Sequence, residues 1–233
     1  MKISGYLGFS LIDFPEKISF VIFTQGCNFR CPFCHNPELI STRKKGVYSE
    51  EFILEELARR RKLIDSVVIT GGEPTLQKDL PKFLFKLKKK RLFVKLDTNG
   101  SNPYMLMELI QARLVDYVAL DFKNSKEKYG ETIGLKEDLA EKYYKNLMES
   151  LKILKKSNIN FEVRTTLVPK LVREKDLRII KDVIGDVPYY LQQFNPEKTL
   201  NLEYRFQKPY SPEKVKDFKE KVQGKLRGVV NSS

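Results

Sequence analysis

All three cysteines of the 233-residue chain, Cys27, Cys31 and Cys34, and its only histidine, His35, stand within "CNFRCPFCH". Thiolates are soft ligands that suit iron–sulfur clusters or zinc. A [4Fe–4S] cluster held by protein normally takes four cysteines, so C-x3-C-x2-C leaves one iron without a protein ligand. An open position is what a catalytic metal site keeps for its substrate. A Cys3His zinc site is the competing reading, but His35 directly follows Cys34. Adjacent side chains seldom aim at one ion, and the second half of a zinc knuckle is missing. Inert buried thiols fit poorly with Asn28, Arg30, Pro32 and Asn36 on the same stretch. Three cysteines so closely spaced are also no disulfide framework. For His35 a hydrogen bond within the loop is an equally good reading.

The elements that position such a loop follow from periodicity. Ile18–Thr24, Ser66–Thr70, Leu92–Thr98, Asp116–Phe122, Phe161–Val168 and Pro188–Phe194 read as strands. Ser49–Leu63, Lys78–Lys89, Asn102–Arg113, Asp138–Lys156 and Glu174–Ile184 read as helices between them. Strict alternation requires parallel strands with helical crossovers, as in an open Rossmann-like sheet or an incomplete (β/α) barrel. In both, ligands bind beyond the carboxyl ends of the strands. Those ends carry the cysteines, then "GGEPT" (Gly71–Thr75), "DTNG" (Asp97–Gly100), Asp121 with Lys123, Arg164, and Gln192, Gln193 and Asn195. The chain is expected to be one domain over 1–202, with a C-terminal helix, Ser211–Gln223, and a polar, fraying tail within 203–233.

Composition narrows the partners. At 41% hydrophobic content the chain can bury a full core. A net charge of +13 suits nucleic acid, an acidic protein surface or an anionic small molecule. Yet lysine and glutamate are spread along the whole sequence, as on a heat-adapted solvated surface. The run "KLKKKR", Lys86–Arg91, closes a predicted helix, where cations complement the macrodipole. Nucleic acid is therefore not the expected partner. No apolar run approaches the roughly 20 residues that span a bilayer, and Met1–Lys17 lacks the order of a secretory signal. A cytoplasmic location without a membrane partner is expected.

The stretch Cys27, Cys31, Phe33, Cys34, followed by "GGEP" after the second predicted strand, resembles the signature of radical S-adenosylmethionine (SAM) enzymes. "SLIDFPEKISFVIFTQGCNFRCPFCHNPEL", "ITGGEPTLQ" and "LDTNG" narrow this to the glycyl-radical-enzyme activating enzymes. They look most like the activating proteins of anaerobic ribonucleoside-triphosphate reductases, with pyruvate formate-lyase activating enzymes close behind. The likeness runs from about Ile3 to Leu200. It implies a partial (β/α)6 TIM-type barrel and a [4Fe–4S] cluster on Cys27, Cys31 and Cys34. It further implies SAM bound at the open iron. Electron transfer from the cluster would cleave the sulfonium, and the 5′-deoxyadenosyl radical would abstract hydrogen from a glycine of the partner enzyme.

Further roles rest on the same resemblance. Gly71, Gly72 and Glu73 match the motif that meets the methionine amino group; glycines allow close backbone approach and a carboxylate suits an ammonium. An ordinary tight turn explains the glycines equally well. Asp97, Thr98 and Asp121 match positions near the cofactor carboxylate, where relatives bind a monovalent cation, and Lys123 and Arg164 match nearby basic positions. Two acids there need positive charge, from such a cation or from these two bases. Asn99 is a candidate for the ribose, and Gln193 and Asn195 for the adenine end.

The partner follows less directly. Pyruvate formate-lyase activators read Asp-Gly-Pro-Gly where this chain has Asp13-Phe14-Pro15-Glu16. With no further cysteine, extra ferredoxin-like clusters are absent. The expected protein substrate is an anaerobic ribonucleotide reductase, with flavodoxin or ferredoxin as electron donor. Pyruvate formate-lyase, another glycyl radical enzyme, a small molecule or RNA are the alternative substrates.

Overall fold

Seven strands lie side by side in chain order and in parallel, because each returns to the same edge of the sheet through a helix. The structure, a computed structural model, describes residues 1–227. The six runs read from the sequence become β2 (Lys17–Thr24), β3 (Ser66–Gly71), β4 (Phe93–Thr98), β5 (Tyr117–Asp121), β6 (Asn160–Leu167) and β7 (Tyr189–Gln193). Two strands were not anticipated. β1 (Ile3–Phe14) forms an antiparallel hairpin with β2, and β8 (Lys225–Arg227) pairs in parallel with β7. The tail is thus partly strand, and its remainder, 228–233, lies outside the described residues. The eight strands form a single curled sheet, a partial barrel of the TIM type.

Helices α1 (Glu50–Arg59), α2 (Leu80–Lys89), α3 (Pro103–Gln111), α5 (Glu137–Lys156) and α6 (Glu174–Ile184) are the five crossover helices read from the sequence. A short helix, α4 (Tyr129–Ile133), precedes α5, and α7 (Pro212–Lys221) lies near the C-terminus. Ser49 caps α1, its hydroxyl accepting from the Phe52 amide at 3.1 Å, and Ser211 caps α7 in the same way. On α2 the buried Leu80, Phe83, Leu84 and Leu87 recur at helical spacing, so one stripe faces the sheet. Each such fully buried side chain contributes about 1.5–3 kcal/mol.

The strands divide their residues between two faces. Phe20, Ile22, Val67 and Ile69 enter the main core under the helices, while Phe14, Val21 and Val68 form a smaller apolar cluster on the concave face. Cations of the "KLKKKR" run are drawn into ion pairs, Lys88 with Asp116 at 2.6 Å and Lys86 with Glu50 at 2.7 Å. Among the described residues no helix is long and apolar enough to cross a membrane.

Candidate active site

The carboxyl end of β2 runs into the cysteine loop, which is tied down on three sides. The Gly26 and Cys27 amides donate to the Leu39 and Ile40 carbonyls at 2.7 and 3.0 Å, closing the loop onto its own return. Gln25, 3% exposed, secures that return by donating to the Glu38 and Ser41 carbonyls. At the far side the Arg30 amide donates to the Ile133 carbonyl at 2.8 Å, and Phe29 packs edge-on against Tyr129 and Tyr143. Gly134, at φ +66°, has no Cβ to strike the Arg30 carbonyl there. From the C-terminal side, the Asn201 amide donates to the Pro32 carbonyl at 2.9 Å. The loop is therefore a fixed platform although it carries Asn28, Arg30, His35 and Asn36.

The glycines after β3 hold the inner edge of that platform. The Gly72 and Glu73 amides donate to the Thr24 and Gly26 carbonyls at 2.9 and 2.8 Å. A Cβ on Gly71, whose φ is +114°, would strike the Thr24 backbone, and one on Gly72 would strike the Gly26 carbonyl oxygen. Both glycines are thus required by backbone packing against the residues that lead into Cys27.

Glu73 is 1% exposed and accepts four hydrogen bonds. Its Oε1 takes the Thr75 amide (3.1 Å), the Thr75 hydroxyl (2.6 Å) and the Thr98 hydroxyl (2.7 Å), and its Oε2 takes the Asn99 amide (2.7 Å). Burial pushes its carboxyl up and these donors work against that. The side chain stitches the ends of β3 and β4 together. Asn99 extends the stitching by donating to Asn28 Oδ1 at 3.0 Å, within the cysteine loop.

The three cysteines line one cavity of about 480 Å³ together with Gly71, Gly72, Glu73, Asp97, Thr98, Asn99, Asp121, Lys123, Arg164 and Gln193. Asn195 stands outside this lining; it is exposed and bonds Glu197. Gln193 donates to the Tyr210 carbonyl at 3.0 Å, while its Oε1 is buried with no partner among the described residues. His35 also lines the cavity, edge-on to Phe194, and burial together with Lys123 lowers its imidazole below the usual range. Val21, Phe23, Thr70 and Thr166 complete the wall, unmarked by the motifs. Strand alternation alone would have found them, since 21 and 23 share a face.

One side of the cavity is an ion-pair array. Arg164 donates to Asp121 at 2.8 Å and to Asp97 at 3.1 Å, and Lys123 lies 3.4 Å from Asp121. Lys95, which the sequence reading missed, is fully buried, 3.0 Å from Asp97 and 2.6 Å from the Asp13 carbonyl. Burial would raise the Asp97 carboxyl, but Arg164 and Lys95 overcome it and hold it down at about 2. A carboxyl lower in the folded than in the unfolded chain stabilises above the unfolded value and loses this as pH falls through the folded one. Asp97 should therefore contribute about 2 kcal/mol at neutral pH that disappears between about pH 4 and pH 2. Urea unfolding across that interval should show a steep acid-side loss that is flattened in Asp97→Asn; equal slopes would contradict it.

The donor set fits an iron–sulfur cluster better than a single ion. Among the described residues no three Cys, His, Asp or Glu side chains converge as ligands of one metal ion, as a structural zinc site requires. A cluster instead takes one thiolate at each of several irons, and three thiols along one cavity wall suit it. Burial pushes Cys27 up to about 11 and Cys31 up to about 12, so at neutral pH metal must displace thiol protons to bind. The Cys27 sulfur accepts the Phe29 amide at 3.4 Å, a bond that favours the thiolate.

Comparisons with known proteins agree with this arrangement. A family model described as the radical SAM superfamily matches residues 21–183. A Methanocaldococcus jannaschii protein named as a glycyl-radical enzyme activating enzyme is 40% identical over 87% of this chain and 84% of its own. The pyruvate formate-lyase-activating enzyme of Clostridium pasteurianum is 26% identical over 88% of both chains. Among solved structures, Streptococcus suis SuiB bound to SAM superposes with a TM-score of 0.64 at 16% identity, covering 90% of this chain and 50% of that one. This last likeness concerns the fold alone.

Proposed function

This chain belongs to the radical SAM superfamily and groups with its glycyl-radical-enzyme activating enzymes, and from that premise we propose that it generates the glycyl radical of an anaerobic ribonucleotide reductase. Family membership makes it an enzyme of radical chemistry and implies a [4Fe–4S] cluster and SAM. The observation that carries the reading is the shared cavity, with three thiols on one wall and acid–base pairs on the other. A bound cluster would supply the electron for reductive cleavage of SAM. The chain's own residues bind, orient and screen. Cys27, Cys31 and Cys34 would hold the cluster. Gly71 and Gly72 let backbone approach backbone, which fixes the distance between the thiol loop and the β3 end.

Asp97 and Asp121 face Lys123 and Arg164 at the cavity, while Lys95 is shared between Asp97 and Glu162. Lys123 and Arg164 would meet the carboxylate of SAM there, a monovalent cation being the alternative source of compensating charge. The unpartnered Gln193 Oε1 offers an acceptor to an N–H donor of the nucleoside. The chain has three cysteines in all, which serve one cluster only. That argues against activators that carry additional clusters. A flavodoxin or ferredoxin serves as electron donor.

Pyruvate formate-lyase is a second reading, favoured by the 26% identical relative. Both are tested anaerobically by mixing the iron-loaded protein with SAM, a strong reductant and each candidate partner. A glycyl doublet by electron paramagnetic resonance on the ribonucleotide reductase, accompanied by 5′-deoxyadenosine, is expected. A doublet only on pyruvate formate-lyase would reassign the partner. No deoxyadenosine from a fully loaded protein would refute radical SAM cleavage.

A further inference from the structure

We propose that the outer face of the cysteine loop, between segment 41–46 and segment 196–206, is the docking surface for a small acidic one-electron carrier protein. This rests on the proposed function, which requires an electron to reach the thiol-bound site. Three observations meet on this face.

The first is unpaired charge. Arg43, Lys44 and Lys45 are consecutive and exposed, and among the described residues none of them is in an ion pair. Their segment is nevertheless held in place: the Ser41 and Thr42 carbonyls accept from Gln25 and Lys2 at 2.9 and 2.8 Å, and a Cβ on Gly46 would strike the Ile3 backbone. The cations are thus carried at a fixed distance from Cys27, the neighbour of these anchors.

The second is a bridge between the two segments. Lys198 pairs with Glu38 at 2.7 Å, joining 196–206 to the residues just before Arg43. Partial burial raises the Glu38 carboxyl, yet the Lys198 hydrogen bond, a backbone amide and the charges of Lys198 and Lys44 hold it below its usual range. Counted over these two segments, Arg43, Lys44, Lys45, Lys198 and Arg205 outnumber Glu197 and Glu203 by five to two.

The third is exposed apolar surface beside the charge. The segment that crosses the loop at Pro32 exposes Leu202 by 60% and Phe206 by 86%. An apolar centre with a cationic rim is complementary to a redox protein that rings its cofactor edge with carboxylates. One electron leaves the reduced carrier, which is oxidised by one equivalent, and the thiol-bound site is reduced by one. Segment 196–206 meets the cysteine loop at Pro32, the residue after Cys31, through the Asn201 amide.

The test uses Arg43→Glu/Lys44→Glu/Lys45→Glu in the full chain, residues outside the cavity. A reduced flavodoxin and, separately, a reduced ferredoxin, both of net negative charge, are the probes. Wild-type SAM cleavage driven by either carrier should fall with rising salt. In the variant it should be lower by about tenfold or more and nearly insensitive to salt, since steering by complementary charge is worth 10-fold to 1000-fold in encounter rate. Carrier binding by calorimetry should weaken in parallel, and dithionite-driven cleavage should stay within about twofold, because dithionite needs no docking. Leu202→Ser/Phe206→Ser should weaken carrier binding at every salt concentration. Unchanged carrier binding and rates in the charge variant would overturn the docking surface and leave the proposed function standing. Failure of the wild type to cleave SAM even with dithionite would overturn the proposed function instead, and calorimetry would then still decide the docking.

Discussion

Cys31→Ala should leave a folded protein that no longer retains iron. Cys31 is 7% exposed, is flanked by the buried Phe29 and Phe33, and carries the middle thiol of the three. Losing its sulfur empties little volume, so the fold should lose only on the order of 1 kcal/mol. The effect on metal is far larger. Changing a group that merely supports a metal ligand costs about 10–100-fold in affinity, and removing a ligand should exceed that. Iron and sulfide analysis after anaerobic reconstitution should therefore show iron and sulfide near the level of an empty protein, alongside an unfolding midpoint close to wild type. Cys27→Ala and Cys34→Ala should behave alike. A full complement of iron in Cys31→Ala would remove it from the ligand set.

Gly72→Ala should be among the most damaging single-methyl additions at the described glycines. Its Cβ would collide with the Gly26 carbonyl oxygen and lie 2.6 Å from the Gly26 carbon, both backbone atoms that cannot rotate away. Something must shift, and the Gly72–Thr24 and Glu73–Gly26 hydrogen bonds lie in the path. The cost should be about 3–5 kcal/mol, the range of severe packing defects. Gly185 provides the control. Unlike Gly72 it has positive φ, +65°, but nothing lies within 4 Å of its Cβ position, so Gly185→Ala should cost only about 1–3 kcal/mol of backbone strain. Denaturant unfolding measures both, and iron retention should fail in Gly72→Ala but not in Gly185→Ala. Equal stabilities and equal iron contents would mean that the close approach of β3 to the loop is not obligatory.

Much of the fold was legible because it is written in local periods. β-branched runs and amphipathic helices have periods of 2.0 and 3.6 residues, and β2 to β7 with their five crossover helices follow from them. β1 was not legible. Its sequence includes Gly5 and Gly8, exposes Leu7, Phe9 and Leu11, buries the small Ser10, and shifts register three times against β2. Leu7, Phe9 and Leu11 do alternate with Gly8 and Ser10, but glycine is a poor strand former and the alternation breaks at Ile12, so the signal is short. β8, three residues long, is too short to carry one.

The site divides in the same manner. The sequence by itself determined the donor set, because three thiols within eight residues are neighbours whatever the fold does. It also determined that the strand ends would converge, since alternating strands and helices must form a parallel sheet. Only the tertiary structure decided what those strand-end residues do. Gly71 and Gly72 proved to be spacers against the Thr24–Gly26 backbone, and Glu73 a buried acceptor joining β3 to β4. Lys95 became a partner of Asp97 although the strand pattern marked it as one polar residue among many. Asn195, one residue past Phe194 and two past Gln193, fell outside the cavity. Such assignments depend on distances between residues 25 to 80 positions apart, set by sheet register and curl. No local pattern encodes those distances.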